Sequence, residues 1–268
     1  MAMFRFREGA APLLVSMPHT GTHIPEALLA RMTPVARLVP DTDWHLERLY
    51  DFLGELGASV LVATHSRYVI DLNRPPDGAN LYPGQDSTAL VPVDTFFKEP
   101  LYLPGFEPGA GETAIRVQTQ WKPYHAKLQS ALQAMKQKHG YALLWDAHSI
   151  FSLVPRFFKG RLTDFNLGTA DGSSCAPGIG ESLLARIQGY SSVLNGRFKG
   201  GYITRRYGDP ANGIHAVQLE LSEAVYMDER PPYEFREDLA ARVRPQLRDL
   251  LEEFLRAFSR PSPRPRRG

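Results

Sequence analysis

The sequence predicts an α/β fold, in which one β-sheet is covered by helices on both faces. Short apolar runs of the kind found in buried strands alternate along the chain with longer segments of helical periodicity. The chain has 268 residues, of which 43% are hydrophobic and 22% charged, so it can bury a sizeable core. We find no internal repeat in the sequence.

The first half of the chain supplies three strands and one helix. Residues 13–17 form an apolar run that predicts a buried strand. Residues 44–56 carry apolar side chains at helical spacing and stop at Gly57, a residue that commonly ends helices. Two further apolar runs, residues 60–63 and 68–71, predict strands.

The second half continues the alternation. Residues 121–138 have the pattern of a long amphipathic helix, with Leu128, Leu132 and Met135 on one face and Gly140 directly after it. The remaining predicted elements are strand 141–145, helix 180–187, strand 216–221 and helix 233–258.

Two segments lack periodicity. Residues 74–116 are rich in Pro and Gly, and a loop of this length is usually functional, for example as a lid over a site. A surface excursion without a function fits the pattern equally well. We expect residues 1–259 to form one domain and the Pro/Arg-rich residues 260–268 to form a disordered tail.

Charge and cysteine content exclude several classes of protein. Lys and Arg number 31 against 29 Asp and Glu, but four of the arginines lie among residues 260–268, so the body of the chain is slightly acidic. This argues against a nucleic-acid-binding protein. The single cysteine, Cys175, excludes an intramolecular disulfide and a Cys-rich metal site. Without a signal-peptide pattern or a membrane-spanning run, we expect a soluble cytoplasmic protein.

Polar residues with catalytic potential follow the predicted strands, where open α/β sheets bind their ligands. His19 comes directly after strand 13–17 and could bind a metal, although a histidine in a turn is often only hydrogen-bonded. Asp41 and Asp43 precede helix 44–56. One of them would suffice as the helix N-cap, which leaves the other available as a ligand.

Two more strands end in titratable groups. Strand 141–145 runs into Asp146 and His148, whose side chains point to the same side, so His148 could bind metal while Asp146 orients it. Glu220 shares one face of strand 216–221 with Gln218 and is a candidate general base or acid. The alternative is that this is an edge strand with one solvated face.

Basic residues suggest an acidic substrate. Arg74 follows Asn73 at the end of strand 68–71 and could bind a carboxylate through two hydrogen bonds. The Gly-rich segment 195–206 lacks the pattern of a nucleotide-binding P-loop. It carries four basic residues: Arg197, Lys199, Arg205 and Arg206. Histidines, carboxylates and arginines together indicate a metallohydrolase, in which three nitrogen or oxygen ligands and a water bind zinc.

Six motifs resemble the N-formylglutamate amidohydrolase family: SMPHTG, PDTDWH, SRYVIDLNR, LLWDAHSI, NGRFKGGYITRRYGDP and HAVQLELSEAVYM. They occur in the family's order, and the resemblance extends over residues 10–257. It implies a zinc-dependent enzyme that hydrolyses N-formyl-L-glutamate to formate and L-glutamate at the end of a histidine-degradation route. A deacylase for another N-acylated acidic amino acid, or a non-catalytic sensor of an acidic metabolite, are the alternatives.

The family is distantly similar to the zinc carboxypeptidases and aspartoacylase. That similarity implies a three-layer sandwich with a mixed, mainly parallel central sheet, as in the phosphorylase/hydrolase-like fold. It also implies roles for individual residues: His19 and His148 as zinc ligands, Asn73 and Arg74 as the carboxylate clamp, and Glu220 as the catalytic glutamate.

The second metal ligand departs from the pattern of these relatives. They use His-x-x-Glu, but position 22 of this chain is Thr, and the family pattern points to the Asp-x-Asp segment. We therefore expect Asp41 as the ligand, with Asp43 as the alternative.

The resemblance completes the expected mechanism. Arg67 assists the oxyanion, and a second substrate carboxylate binds one of four candidates: Arg197, Lys199, Arg205 or Arg206. The expected partner is a small acidic molecule, with no nucleic acid and no membrane, and the expected assembly is a monomer or a small homo-oligomer.

Overall fold

A single sheet of seven strands forms the centre of the molecule. The computed structural model describes residues 2–81 and 84–259 of the chain. The strands are β1 (Phe4–Arg7), β2 (Leu13–Met17), β3 (Ser59–Ala63), β4 (Ala142–Ile150), β5 (Phe165–Gly168), β6 (Ser192–Leu194) and β7 (Ile214–Ser222). Their order in the sheet is β1-β3-β2-β4-β7-β5-β6.

The four central strands, β3, β2, β4 and β7, run parallel to one another. Strand β1 pairs antiparallel with β3 at one edge. At the other end β5 pairs antiparallel with β7 and parallel with β6. The mixed, mainly parallel sheet confirms the predicted fold class.

Helices cover both faces of this sheet. They are α1 (Glu26–Leu29), α2 (Pro34–Arg37), α3 (Leu46–Leu49), α4 (Ala110–Arg116), α5 (Lys122–His139), α6 (Ile179–Arg186), α7 (Tyr202–Tyr207) and α8 (Glu237–Ser259). Helices α3, α6 and α8 share one apolar core with the sheet, and α5 and α7 share a second core on the opposite face. Within the described ranges, none of the helices combines the length and the apolar character that a membrane span requires.

Alternation along the strands assigns each side chain to one of these cores. On β4, Trp145 and Ala147 pack in the core of α8, and Leu144 packs in the core of α5. Asp146 and His148 continue the Leu144 face, since successive side chains of a strand point to opposite sides. The polar end of β4 therefore lies on the side of α5 and α7.

Three predicted elements differ in the structure. The strand predicted over residues 68–71 is wrong: this buried segment forms a turn, in which Val69 N donates to Ser66 O. The helix predicted over residues 44–56 is broken at Tyr50 into α3 and a 3-10 turn at Asp51–Gly54. The last helix begins at Glu237.

Strand β7 lies between β4 and β5, so the edge-strand interpretation of Glu220 is wrong. The predicted tail, residues 260–268, lies outside the described residues.

Candidate active site

The carboxyl ends of three parallel strands meet at one cleft. Strand β2 leads into His19, β4 carries His148, and β7 carries Glu220. All three side chains line the cleft, and His148 stands opposite Glu220 in the β4–β7 register. The cleft therefore lies where open α/β sheets place their ligands.

His19, Asp43 and His148 form a buried cluster that could hold a metal ion. One ligand atom from each residue lies within 4.8 Å of the others. Asp43 Oδ2 is 3.1 Å from His148 Nδ1 and 3.7 Å from His19 Nδ1. Two imidazole nitrogens and one carboxylate oxygen are a donor set typical of catalytic zinc.

The structure brings Asp43, rather than the expected Asp41, to the two histidines. Asp43 N donates to the carbonyl oxygen of His19 at 3.1 Å, which holds the two backbones side by side. The Asp41 carboxylate instead accepts a hydrogen bond from Phe96 N at 2.9 Å. Burial raises the pKa of Asp41 to about 7. Neither aspartate caps α3, because the N-cap residue is His45.

A carboxylate stands behind each histidine ring. His19 Nε2 donates to Asp71 Oδ1 at 2.7 Å, and His148 Nε2 lies 3.2 Å from Asp146 Oδ1. Such contacts fix the orientation of metal-binding imidazoles, and here they turn both Nδ1 atoms toward Asp43.

The electrostatics of the cluster favour a cation. Burial alone would lower the pKa of His148, but the carboxylates of Asp146 and Asp43 outweigh it and hold that pKa well above its usual range. Burial would raise the pKa of Asp43, but the two histidines pull it below its usual range. Three buried aspartates surround the two histidines, and Arg67 is the cation paired with two of them. The residues present therefore fit a divalent metal ion.

Asp71 is a site residue to which we gave no role from the sequence. It accepts hydrogen bonds from Arg67 Nη2 and from Asn73 N, each at 2.8 Å, in addition to that from His19. The sequence feature that could have indicated a role for Asp71 is its position at the end of an apolar run, two residues before Asn73.

Arg67 and Glu220, the two expected catalytic residues, both line the cleft. The Nε atom of Arg67 is buried and has no hydrogen-bond partner among the described residues. Burial raises the pKa of Glu220 to about 8. Gln218 Nε2 lies 3.5 Å from the Glu220 carboxylate.

Asn73 and Arg74, the expected clamp, are both at the cleft but contact different groups. Asn73 accepts from Ile203 N at 2.8 Å, and its Nδ2 lies 3.0 Å from His148 Nε2. A Cβ atom on Gly201 would come within 2.3 Å of Asn73 Nδ2, so this close approach requires glycine.

The Arg74 guanidinium is partly engaged by the protein. Its Nε and Nη2 donate to the carbonyl and hydroxyl of Thr88, each at 3.0 Å, and Nη1 donates to Asn73 O at 3.1 Å. An arginine has five N–H donors, so two more can bind a ligand.

The other basic residues are dispersed. Arg197 lines the cleft and donates to the carbonyls of Phe157 and Asp86, at 2.8 and 3.0 Å. Lys199 forms an ion pair with Asp171 at 3.1 Å, and Arg205 donates to Gly200 O at 2.8 Å. These last two are not among the residues that line the cleft.

Part of the long Pro/Gly-rich segment contributes to the wall of the cleft. Ser87 and Phe96 line the cleft. Arg156 fastens this segment through ion pairs with Asp94 at 2.8 Å and Asp86 at 3.1 Å.

Comparison with known protein families matches residues 11–227 to N-formylglutamate amidohydrolase. The chain belongs to this family. Two relatives named N-formylglutamate deformylase extend the match over most of the chain. The one from Pseudomonas putida is 51% identical over 253 residues, which are 93% of this chain and 94% of the relative. The one from Pseudomonas aeruginosa is 52% identical, over 93% of this chain and 95% of the relative. The family resemblance seen in the sequence is confirmed.

Solved structures agree with this assignment. The crystal structure of N-formylglutamate amidohydrolase from Ralstonia eutropha JMP134 superimposes with a TM-score of 0.79 at 26% identity, covering 96% of this chain and 97% of that one. The gene product Atu2144 from Agrobacterium tumefaciens gives a TM-score of 0.72 at 19% identity, with 96% of each chain covered. At that identity the second match supports the fold alone.

Proposed function

We propose that this family member is a metal-dependent deformylase that converts N-formyl-L-glutamate and water to formate and L-glutamate. The observation that carries the proposal is the buried His19–Asp43–His148 cluster beside Glu220, at a cleft that also presents arginines. The names of the two relatives support the choice of substrate.

We assign the metal to His19, Asp43 and His148, with zinc as the metal that this donor set suits. Asp43 thus replaces Asp41 in the ligand set that we expected. A zinc ion bound there would supply a Lewis acid for the formyl carbonyl and would lower the pKa of water.

Glu220 is the group proposed to move the proton. It takes a proton from the attacking water and gives it to the nitrogen of glutamate as the C–N bond of the amide breaks. The raised pKa of Glu220, caused by burial, suits a group that must both accept and release a proton near neutral pH.

The arginines at the cleft are proposed to bind and orient the dianionic substrate. The two remaining donors of Arg74 suit one carboxylate, and Arg197 is the candidate for the other. The unpartnered Nε–H of Arg67 suits the oxyanion that forms on the formyl carbon. In this assignment Asn73 packs its carboxamide against His148, and Lys199 and Arg205 receive no role because they do not line the cleft.

We further propose that residues 1–259 act as one catalytic domain. Strand β1, near the beginning of the described chain, is part of the central sheet, and helix α8, near its end, packs on that sheet. A cytoplasmic location and a monomeric or small homo-oligomeric assembly stay predictions.

The proposal is tested by an assay paired with metal analysis. The protein is purified without added metal, bound metal is quantified, and formate release from N-formyl-L-glutamate is measured before and after chelation. We expect about one zinc per chain and activity that is lost on chelation and restored by zinc. Metal binding without formate release would move the search to N-acetyl- and N-succinyl-glutamate. Absence of both would overturn the proposal.

A further inference from the structure

Asn73 and Arg74 lie on backbone that belongs to neither a helix nor a strand. We call residues 72–74 the clamp segment; they form a turn and a bend between the end of the buried run at Asp71 and Pro75. Without a regular hydrogen-bond ladder, the carbonyl groups of such a segment need partners from elsewhere in the molecule. Those partners decide where the two side chains of the clamp stand.

The three consecutive carbonyls of the clamp segment each accept a hydrogen bond from a helix or helical turn. Leu72 O accepts from the side chain of His125 at 2.9 Å. Arg74 O accepts from the indole Nε1 of Trp121 at 3.0 Å. Between them, Asn73 O accepts from the backbone nitrogen of Tyr202 at 3.4 Å. Side chains of the α5 region thus hold the carbonyls on both sides of Asn73.

His125 and Trp121 are themselves held by ring contacts and are buried. Their rings stack with centroids 3.6 Å apart at 21°, and Tyr207 stacks on His125 at 12°. Because Nε2 of His125 donates to Leu72 O, its Nδ1 accepts from the Tyr207 hydroxyl at 2.9 Å. His125 is only 4% exposed, and Trp121 only 7%.

A π-helical turn immediately precedes this pair. It spans Val117–Trp121 and joins α4 to α5. Such turns insert one residue into a helix and occur frequently at functional sites. Here Trp121 is the last residue of the π turn, and His125 follows it by four positions, the spacing at which helical side chains stack.

We propose that Trp121 and His125 are positioning residues for substrate binding. Neither lines the cleft, so they act through the clamp segment, whose carbonyls they fix and whose Arg74 guanidinium they thereby hold in place. The inference rests on the proposed function, in which Arg74 binds a substrate carboxylate. It assigns a role in affinity to an indole and an imidazole that touch no reacting atom.

The sharpest test is Trp121→Phe in the zinc-loaded full chain. The substitution keeps the ring against His125 and removes the donor to Arg74 O. We expect KM for N-formyl-L-glutamate to rise about fivefold, the effect of one lost hydrogen bond. We expect kcat to change by less than about twofold and the metal content to stay the same, because no group of the metal cluster is altered.

A matched control removes the same kind of bond from the other core. Trp145 Nε1 donates to the Tyr50 hydroxyl at 3.2 Å, on the α8 side of the sheet. Trp145→Phe should therefore lower the melting temperature without raising KM. A purely structural role for Trp121 predicts that both variants lose stability and neither changes KM.

His125 provides a graded second test. His125→Gln keeps an N–H donor that can reach Leu72 O, and His125→Leu does not. We expect KM to rise in the order wild type, His125→Gln, His125→Leu. Equal KM values for all three proteins would overturn the proposal for His125.

Calorimetric titration of L-glutamate into the zinc-loaded proteins separates this inference from the proposed function. If the wild type releases no formate but binds L-glutamate, and Trp121→Phe weakens that binding about fivefold, the reaction assignment fails and the positioning role stands. If turnover is present and Trp121→Phe matches the wild type in KM and in affinity for L-glutamate, the positioning role fails and the function stands. If the wild type neither hydrolyses N-formyl-L-glutamate nor binds L-glutamate, both the proposed function and the positioning role are overturned.

Discussion

The two faces of strands β4 and β7 are equally buried and chemically opposite. Toward α8, in the middle of the two strands, they present four apolar side chains that are each 0% exposed: Trp145, Ala147, Val217 and Leu219. Toward α5 and α7, at the same level of the sheet, they present polar side chains that are at most 8% exposed: Asp146, His148, Gln218 and Glu220. The same backbone thus supports a core on one side and a reaction site on the other.

The contrast shows how the site is supported. Burying apolar side chains stabilises the fold, whereas burying a polar group without a partner costs about 2–7 kcal/mol. On the polar face this cost is limited by pairing, as between His148 and Asp43 or between Gln218 and Gly201 N at 2.6 Å. The apolar face therefore contributes the stability that holds the polar side chains of the other face in their positions.

The largest expected effect comes from breaking the metal cluster. Asp43→Asn removes the carboxylate between the two histidines, and we expect loss of bound zinc and a fall in kcat/KM of at least about 10³-fold, since a Lewis acid contributes several kcal/mol to the barrier. The measurement is metal content per chain together with formate release.

Asp41→Asn is the matched control for Asp43→Asn. Burial raises the pKa of Asp41, so the neutral amide resembles the carboxyl group, and it still accepts from Phe96 N. Metal and activity should be retained. If Asp41→Asn lost its zinc and Asp43→Asn kept it, the ligand assignment would be reversed.

This pair of aspartates also shows where sequence reasoning ends. Period-two alternation predicts that His148 shares a face of its strand with Asp146 and that Glu220 shares a face of its strand with Gln218. His19 also follows a strand, so the sequence predicts all of these side chains at the carboxyl edge of the sheet. Which aspartate joins them depends on the hydrogen bond from Asp43 N to His19 O, a contact between segments that no local pattern encodes. The sequence could therefore predict the edge of the sheet but not the third ligand.

The strand prediction for residues 68–71 was wrong for a related reason. Its apolar side chains are buried, as a strand prediction requires, but they pack beside the sheet in turns. Asp71 N donates to Leu90 O, in the Pro/Gly-rich segment, instead of to a neighbouring strand. Burial and strand structure give the same apolar pattern in so short a run, and only tertiary contacts separate them.

A second prediction compares the two faces directly on β7. Glu220→Gln should lower kcat by about 10²–10⁴-fold, the usual contribution of a general acid–base group. Its metal content and its free energy of unfolding should change little, because the amide has the same shape. Leu219→Ala, one residue away on the apolar face, should lower the free energy of unfolding by about 2–5 kcal/mol and leave KM unchanged. An active Glu220→Gln enzyme would remove Glu220 from the chemistry.

The smallest expected effect concerns the neutral histidine behind the clamp segment. Burial, with a smaller contribution from the charge of Arg206, lowers the pKa of His125 to about 3 from its usual 6.5. Below about pH 6.5 the imidazole of His125 is protonated in the unfolded chain but stays neutral in the folded chain. This difference makes the free energy of unfolding fall by about 1.4 kcal/mol per pH unit as the solution is acidified.

The variant His125→Gln has no imidazole to protonate at this position. The stability difference between wild type and His125→Gln should therefore shrink by about 2 kcal/mol between about pH 7.5 and about pH 5, measured by urea unfolding. Leu128→Ala on the same helix destabilises the protein without removing a titrating group, and its curve should run parallel to that of the wild type. A His125→Gln curve that also ran parallel would mean that the imidazole accepts a proton in the folded protein, and the fixed tautomer that holds Leu72 O would have to be abandoned.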